Sequence, residues 1–431
     1  MTKSVIPFIR SASYPVRDGN LIKPWIDGEP AFRRICELIE AATQRVWLTV
    51  TFMWAGFEMP DGRGSALDVL DLAVSRGIDV RIIFWRPDEE TAYLKQNAFW
   101  GSDAQIDMLN KRNSGVKIRW DRAQPGFCQH QKSWLIDDTA FVGGINLNPH
   151  SMVSPGHSGE GQNHDMYVEL SGPSVADVQH NFVQRWNEAS ERSVMGGHWG
   201  VGSETNLPFP EHLPAFAGTA KVQVQRTIHA GRYTNGKSSP EALRYDITSG
   251  EQSNFEQYCA AIDTAKRTIY IENHSLNVAE IVDCLHRALL RGVDVILMMP
   301  AEPRTGLQKL GTFDNFLLAG IAGLGANRQR NPVYVHAKLM IVDDEWATIG
   351  SCNLHRFSLF GNSELNVAFT EPDTVRAFRC ELLQEHLGQD TSGLNDRAAF
   401  DLIRKIAKEN RRKFDTDDPN WQGIAFAFDV T

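Results

Sequence analysis

A chain of 431 residues with 42% hydrophobic and 23% charged side chains suits a soluble globular protein of two or three domains. Its net charge of −9 argues against non-specific duplex binding, which needs a basic face. The longest apolar candidate, 316–326, holds three glycines and falls short of the ~18 residues of a membrane span. Residues 1–7 lack the apolar core of a signal peptide, so a cytoplasmic location is expected, with peripheral membrane contact. Six scattered cysteines, at 36, 128, 259, 284, 352 and 380, read as free thiols, several of them buried. Cys128 and His130 lie two apart, but without a Cys-x2-Cys partner they do not make a zinc site.

Apolar spacing predicts a helix over 31–39, a strand over 45–52, a helix over 66–75 closed by Arg76-Gly77, and a strand over 78–85. A strand at 166–170 and a helix at 175–186 follow. The order then recurs: helix 255–262, strand 267–271, helix 281–290 closed by Arg291-Gly292, strand 293–299, strand 365–369 and helix 375–387. The segments 73–80 and 288–295 are nearly superimposable. Alternating helices and Val/Ile-rich strands predict an α/β fold with mostly parallel sheets covered on both faces. The chain divides into lobes at 1–195 and 220–431, joined by a Gly- and Pro-rich connection at 196–219. His198 and Trp199 in that connection read as structural or surface residues. The basic tail helix after 397, with Arg404, Lys405, Lys408, Arg411, Arg412 and Lys413, reads as a solvated face.

Each lobe carries one His-x-Lys-x4-Asp pattern: His130, Lys132 and Asp137 in the first, His336, Lys338 and Asp343 in the second. Two chance occurrences are expected at roughly 0.001 per chain. In a strand, His and Lys two apart project together while the Asp faces the other way. A hairpin turn through Asp137-Asp138 brings Asn146 back beside His130 and Lys132. A turn through Asp343-Asp344 likewise returns Asn353 beside His336. Two imidazoles, two cations and two amides suit attack on an anionic phosphodiester. A neutral imidazole is a nucleophile, a protonated one donates to the leaving oxygen, and the cations and amides offset developing charge.

The paired motifs resemble the signature of the phospholipase D superfamily, His-x-Lys-x4-Asp-x6-Gly-(Gly/Ser)-x-Asn. The second copy fits throughout. The first has five residues, not six, between Asp137 and Gly143, which reads as a shorter hairpin turn. The resemblance covers nearly the whole chain. It implies two similar α-β-α sandwich lobes with mixed sheets, related by a pseudo-twofold axis, and one active site at their interface. It implies that His130 forms a covalent phosphohistidine and His336 serves as general acid, then base, although symmetry alone leaves the two roles exchangeable. Asp165 and Glu364, 35 and 28 residues after the histidines, stand where similar proteins carry the acid that orients each imidazole. Asp137 and Asp343 complete the candidate set as residues that hold the motif together. Lys132, Lys338, Asn146 and Asn353 are the candidate substrate-binding groups, and no metal or cofactor is expected. His164 is left out because it points to the opposite strand face. Glu272-Asn273-His274 resembles the Glu-Asn-Gln of phospholipid-cleaving members, with His274 in place of Gln.

The leading expectation is a phospholipase D-like enzyme that hydrolyses phosphatidylcholine-type lipids or transfers the phosphatidyl group to an alcohol. The apolar runs 53–57 and 316–321 line a diacyl tunnel or, more in keeping with their composition, the core. Alternatives are a nuclease or other phosphodiesterase on the same scaffold, a peripheral cardiolipin synthase-like phosphatidyltransferase, a binding protein without activity, and a metalloenzyme built on His130, His164 and Asp165. The partners expected are phospholipid and a water or alcohol acceptor, with no nucleic acid, and the chain is expected to be a monomer.

Overall fold

The computed structural model describes residues 6–190, 204–301, 306–326 and 328–430. In the first half, strands β1 (Arg17–Ile26), β2 (Arg45–Val50), β3 (Asp79–Trp85), β4 (Lys117–Asp121), β5 (Ser133–Ile136), β6 (Thr139–Gly143) and β7 (Met166–Ser171) form a sheet in the order β4-β3-β2-β5-β6-β7-β1. In the second half, β8 (Ala220–Ile228), β9 (Thr268–Glu272), β10 (Asp294–Met298), β11 (Phe316–Leu324), β12 (Leu339–Val342), β13 (Trp346–Gly350) and β14 (Glu364–Thr370) are ordered β11-β10-β9-β12-β13-β14-β8. The two orders match strand for strand. They meet where β1 pairs antiparallel with β8, Arg17 opposite Val222 and Asn20 opposite Ala220.

Among the fourteen strands named here, only β2-β3-β4 and β9-β10-β11 are parallel. The sheets are therefore mixed, with less parallel pairing than the alternation of elements suggests. A parallel pair needs a crossover, whereas the motif strands return through tight turns that enforce antiparallel pairing. Helix α1 (Gly28–Ala41) buries Phe32, Ile35 and Ile39 against the outer face of the first sheet. Helix α2 (Ala66–Ser75) makes the β2-to-β3 crossover. Its Ser65–Asp68 capping box satisfies the N-terminal amides, and Gly77, at φ 86°, ends it. Helix α3 (Val175–Asn187) covers the inner face with Val178, Phe182 and Trp186. In the second half α4 (Ser253–Thr264) and α5 (Ala279–Leu290) take the outer face, and α6 (Pro372–Leu387) and α7 (Asp396–Asp415) the inner one. The inner-face core draws side chains from both halves in one cluster.

Residues 316–321 belong to β11, a buried strand, so they fill the core, the favoured of the two readings, and line no tunnel. One expectation changes. In α7, Ala399, Phe400 and Ile403 are buried and Arg404 pairs with Asp294 at 3.1 Å, so only part of that helix is a solvated basic face. All six cysteines are free. Among the described residues no helix is long and apolar enough to cross a membrane. Residues 196–203, with His198 and Trp199, lie outside the described residues; 204–219 carries no helix or strand.

The motif aspartates set the hairpins. Ile136 pairs with Thr139 and Val342 with Trp346, so the first turn holds two residues and the second three, which accounts for the one-residue difference in spacing. Asp137 Oδ1 and Oδ2 accept the backbone N–H groups of Thr43, Gln44 and Arg45 at 2.8–2.9 Å. Asp343 accepts those of Lys266, Arg267 and Thr268 at 2.7–2.9 Å. Each carboxylate thus pins the hairpin to the start of β2 or β9. Asp343→Ala leaves three amides without their acceptor and should cost about 2–3 kcal/mol in urea unfolding. Burial raises the proton affinity of Asp137, but the amides of Arg45, Thr43 and Gln44 outweigh it and hold the carboxyl below its usual range. A depressed folded value means stability that is present above about pH 4 and lost as pH falls. The stability gap between wild type and Asp137→Asn should therefore narrow from pH 5 to pH 3.

Candidate active site

His130 and Lys132 precede β5, and His336 and Lys338 precede β12, so neither pair lies within the hairpin ladder as expected. Each sits in an extended segment paired with the other half of the chain. His130 N–H donates to Ser363 O at 2.9 Å, and Ser363 N–H donates to Cys128 O at 3.0 Å. Tyr334-Val335 pairs in parallel with Asn163-His164, and His336 N–H donates to His164 O at 2.8 Å. The next residue of each partner segment is the acid. Glu364 Oε2 lies 2.9 Å from His130 Nδ1, and Asp165 Oδ2 lies 2.6 Å from His336 Nδ1. Each imidazole therefore takes its carboxylate from the opposite half.

Both acids are held in place. Glu364 accepts from Ser351 Oγ at 2.6 Å and Ser358 Oγ at 2.5 Å; Asp165 Oδ1 accepts from Met166 N–H at 2.8 Å. Lys132 Nζ donates to His130 O at 2.7 Å and to Thr51 Oγ1 at 3.1 Å. Lys338 Nζ donates to His336 O. Asn146 and Asn353 are buried, and the Oδ1 of each has no partner. Asn146 shares a small cavity with Lys132. Asp137 and Asp343 stand at the far ends of their strands on backbone amides, outside this group.

Burial dominates the electrostatics. It holds both histidines well below the ordinary imidazole value, and the ammonium groups of Lys132 and Lys338 push the same way. Burial raises Asp165 and Glu364 to about 7 and lowers Lys132 to about 7 and Lys338 to about 8. Buried cations without a full complement of counter-charge favour an anion.

His274, singled out in the sequence by its place in Glu272-Asn273-His274, stacks on His336 with ring centroids 5.7 Å apart and planes at 13°. It meets His355 edge-on at 5.6 Å, and sequence reasoning missed His355 and several other groups. Ser351, Ser358 and Thr51 carried no signal. Glu272 faces away from the pocket: it binds His164 Nε2 at 3.0 Å and accepts Tyr270 Oη–H at 2.6 Å. His164 and His130 go to separate carboxylates, so the metalloenzyme grouping of His130, His164 and Asp165 does not form.

A family model described as "Cardiolipin synthase, PLD-like domain" matches residues 35–186 and 258–386. The chain belongs to this family, within the phospholipase D superfamily. It is 25% identical over 360 residues to the major cardiolipin synthase ClsA of Bacillus subtilis, covering 81% of this chain and 65% of that one. It is 25% identical over 409 residues to cardiolipin synthase A of Pseudomonas entomophila, covering 92% and 72%. The fold is similar to that of phosphatidylserine synthase from Haemophilus influenzae, with a TM-score of 0.57, 14% identity, and 92% and 95% coverage.

If the lysines form an anion site, inorganic phosphate should stabilise the protein. At ten times its dissociation constant it contributes about 1.4 kcal/mol, or about 2 °C in Tm. Because both lysines have lowered values, their charge is lost between pH 7 and pH 9, and the phosphate-induced rise should shrink over that range. Lys132→Met with Lys338→Met should remove it at both pH values in differential scanning fluorimetry.

Proposed function

We propose that this protein is a phosphatidyltransferase of the cardiolipin synthase type, moving a phosphatidyl group to a glycerol hydroxyl of an acceptor phospholipid through a covalent phosphohistidine. The supporting observation is the crossed pairing of His130 with Glu364 and His336 with Asp165. The names of the relatives favour this reading over hydrolysis of phosphatidylcholine.

With Nδ1–H donated to Glu364, His130 keeps the Nε2 lone pair for attack on phosphorus. The P–N bond forms as the P–O bond to the leaving group breaks. His336, oriented by Asp165, gives that oxygen a proton. It lacks this proton in the free protein, where burial and two lysines suppress it. The bound phosphodiester supplies the opposite charge that restores it. Lys132, Lys338 and the amides of Asn146 and Asn353 bear on the non-bridging oxygens. The acceptor hydroxyl then yields its proton to His336 and attacks phosphorus, and the P–N bond breaks. Water in place of the acceptor gives hydrolysis to phosphatidic acid. The assignment of nucleophile to His130 follows the family's order of motifs.

The test is incubation with phosphatidylglycerol vesicles. Cardiolipin and free glycerol should form, and His130→Ala should abolish both. Glu364→Gln should lower the rate about 10²–10⁴-fold while leaving the fold intact by circular dichroism. If the chain makes no cardiolipin but converts phosphatidylcholine and ethanol to phosphatidylethanol, the lipase reading replaces this one.

A further inference from the structure

Behind Asp165, on the side of the strand turned away from the two motif histidines, lies a second buried group of ionisable side chains. Asp27, from the β1–α1 junction, His157 and His164 come from the first half of the chain, and Glu385, on α6, from the second. We propose that these four residues bind a structural zinc ion that staples the two halves together. The inference is independent of the lipid reading.

The distances carry it. His157 Nε2 lies 3.3 Å from His164 Nδ1, 3.3 Å from Asp27 Oδ2 and 3.3 Å from Glu385 Oε1. His164 Nδ1 lies 2.9 Å from Asp27 Oδ1. One ligand atom from each of the four falls within 4.8 Å of all the others. Four ligands bound to zinc at about 2.0–2.2 Å stand about 3.3–3.6 Å apart in a tetrahedron. The three equal separations about His157 Nε2 reproduce that spacing, and they are longer than most hydrogen bonds between such groups.

The donor chemistry agrees. Two imidazoles and two carboxylates exclude magnesium and calcium as the natural occupants and suit zinc. Two carboxylates neutralise the ion, so the buried first shell carries no net charge. Asp27 is fully buried, and its Oδ2 has no hydrogen-bond partner although it points at His157; Glu385 Oε2 is also buried and unpartnered. A metal-bound imidazole commonly gives its other N–H to a carboxylate, and His164 Nε2 has Glu272 Oε2 at 3.0 Å for that purpose. Four protein ligands leave no open position, which makes the site structural and not catalytic.

The site reaches the reacting pocket through the backbone. Asp27 N–H donates to Asp165 O at 2.8 Å, and His164 O accepts the N–H of His336 and of Ala337 at 2.8 and 3.0 Å. An ion that fixes Asp27 and His164 fixes both ends of the Asp165–His336 pair.

The full chain, expressed in zinc-supplemented medium and purified without chelator, should hold about one zinc per chain by inductively coupled plasma mass spectrometry. Prolonged dialysis against a strong chelator should lower Tm by about 5 °C or more, and zinc should restore it. Cobalt loaded in its place should give the intense visible bands of a tetrahedral nitrogen and oxygen site. His157→Gln and Glu385→Gln should each lose the metal and become insensitive to the chelator. Wild-type protein with under about 0.1 zinc per chain, and a Tm unmoved by added zinc, overturns the proposal and leaves a protonated histidine–carboxylate network. Zinc retained in both variants, or a six-coordinate cobalt spectrum, overturns it equally. The zinc content, the chelator-dependent Tm and the cobalt spectrum are all read on wild-type protein and need no variant to fold.

Discussion

The exchange of carboxylates between the two halves of the chain is the constraint on which the site depends. In the proposed mechanism His130 attacks through Nε2, which requires Nδ1 to be engaged, and the group that engages it is Glu364 of the opposite half. His336 depends in the same way on Asp165. Neither half is complete alone. The inner-face core that mixes side chains from both halves, and the β1–β8 pairing, hold this arrangement to hydrogen-bonding tolerance. A small shift between the halves would detach both imidazoles at once.

Two short segments do this with the period of an extended chain. Successive residues point to opposite faces. In Ser363-Glu364 the backbone of Ser363 pairs with Cys128 and His130 while the side chain of Glu364 orients the imidazole. In His164-Asp165 the second residue does the same for His336, and the first turns its ring into the buried cluster of Asp27, His157, Glu272 and Glu385. The first half thus has a buried histidine with its own set of partners at a position where the second half has a serine. That asymmetry between otherwise matching strands separates the pocket, which both halves build alike, from the cluster behind it, which they do not.

The pocket is tuned by removal of water more than by any single pair. Burial raises two carboxyls, lowers two lysines and keeps both imidazoles neutral, so the resting site carries much less formal charge than its residues suggest. In the proposed reaction an incoming phosphodiester would reverse these shifts by supplying negative charge beside the lysines. The proposed mechanism thus links substrate to protonation state, and a neutral ligand would not produce the same state.

The internal duplication, the helix and strand positions and the motif histidines and lysines were legible in the sequence, because each rests on local periodicity or on a repeated spacing; the acids at 165 and 364, at unequal spacings, were placed only through the family resemblance. The hairpin length was legible too: one residue fewer after Asp137 is one residue fewer in the turn. Partnership was not. No local signal joins His130 to Glu364 in preference to Asp165, since the pairing arises only when two segments far apart in the chain align in parallel. The same holds for His274 against His336 and for Asp27, His157 and Glu385 around His164, whose separations in sequence carry no period. Local pattern determined which side chains this protein brings to a surface of a strand or helix. Only the packing of one half on the other, driven by a shared core with no counterpart in short-range spacing, decided which of them meet.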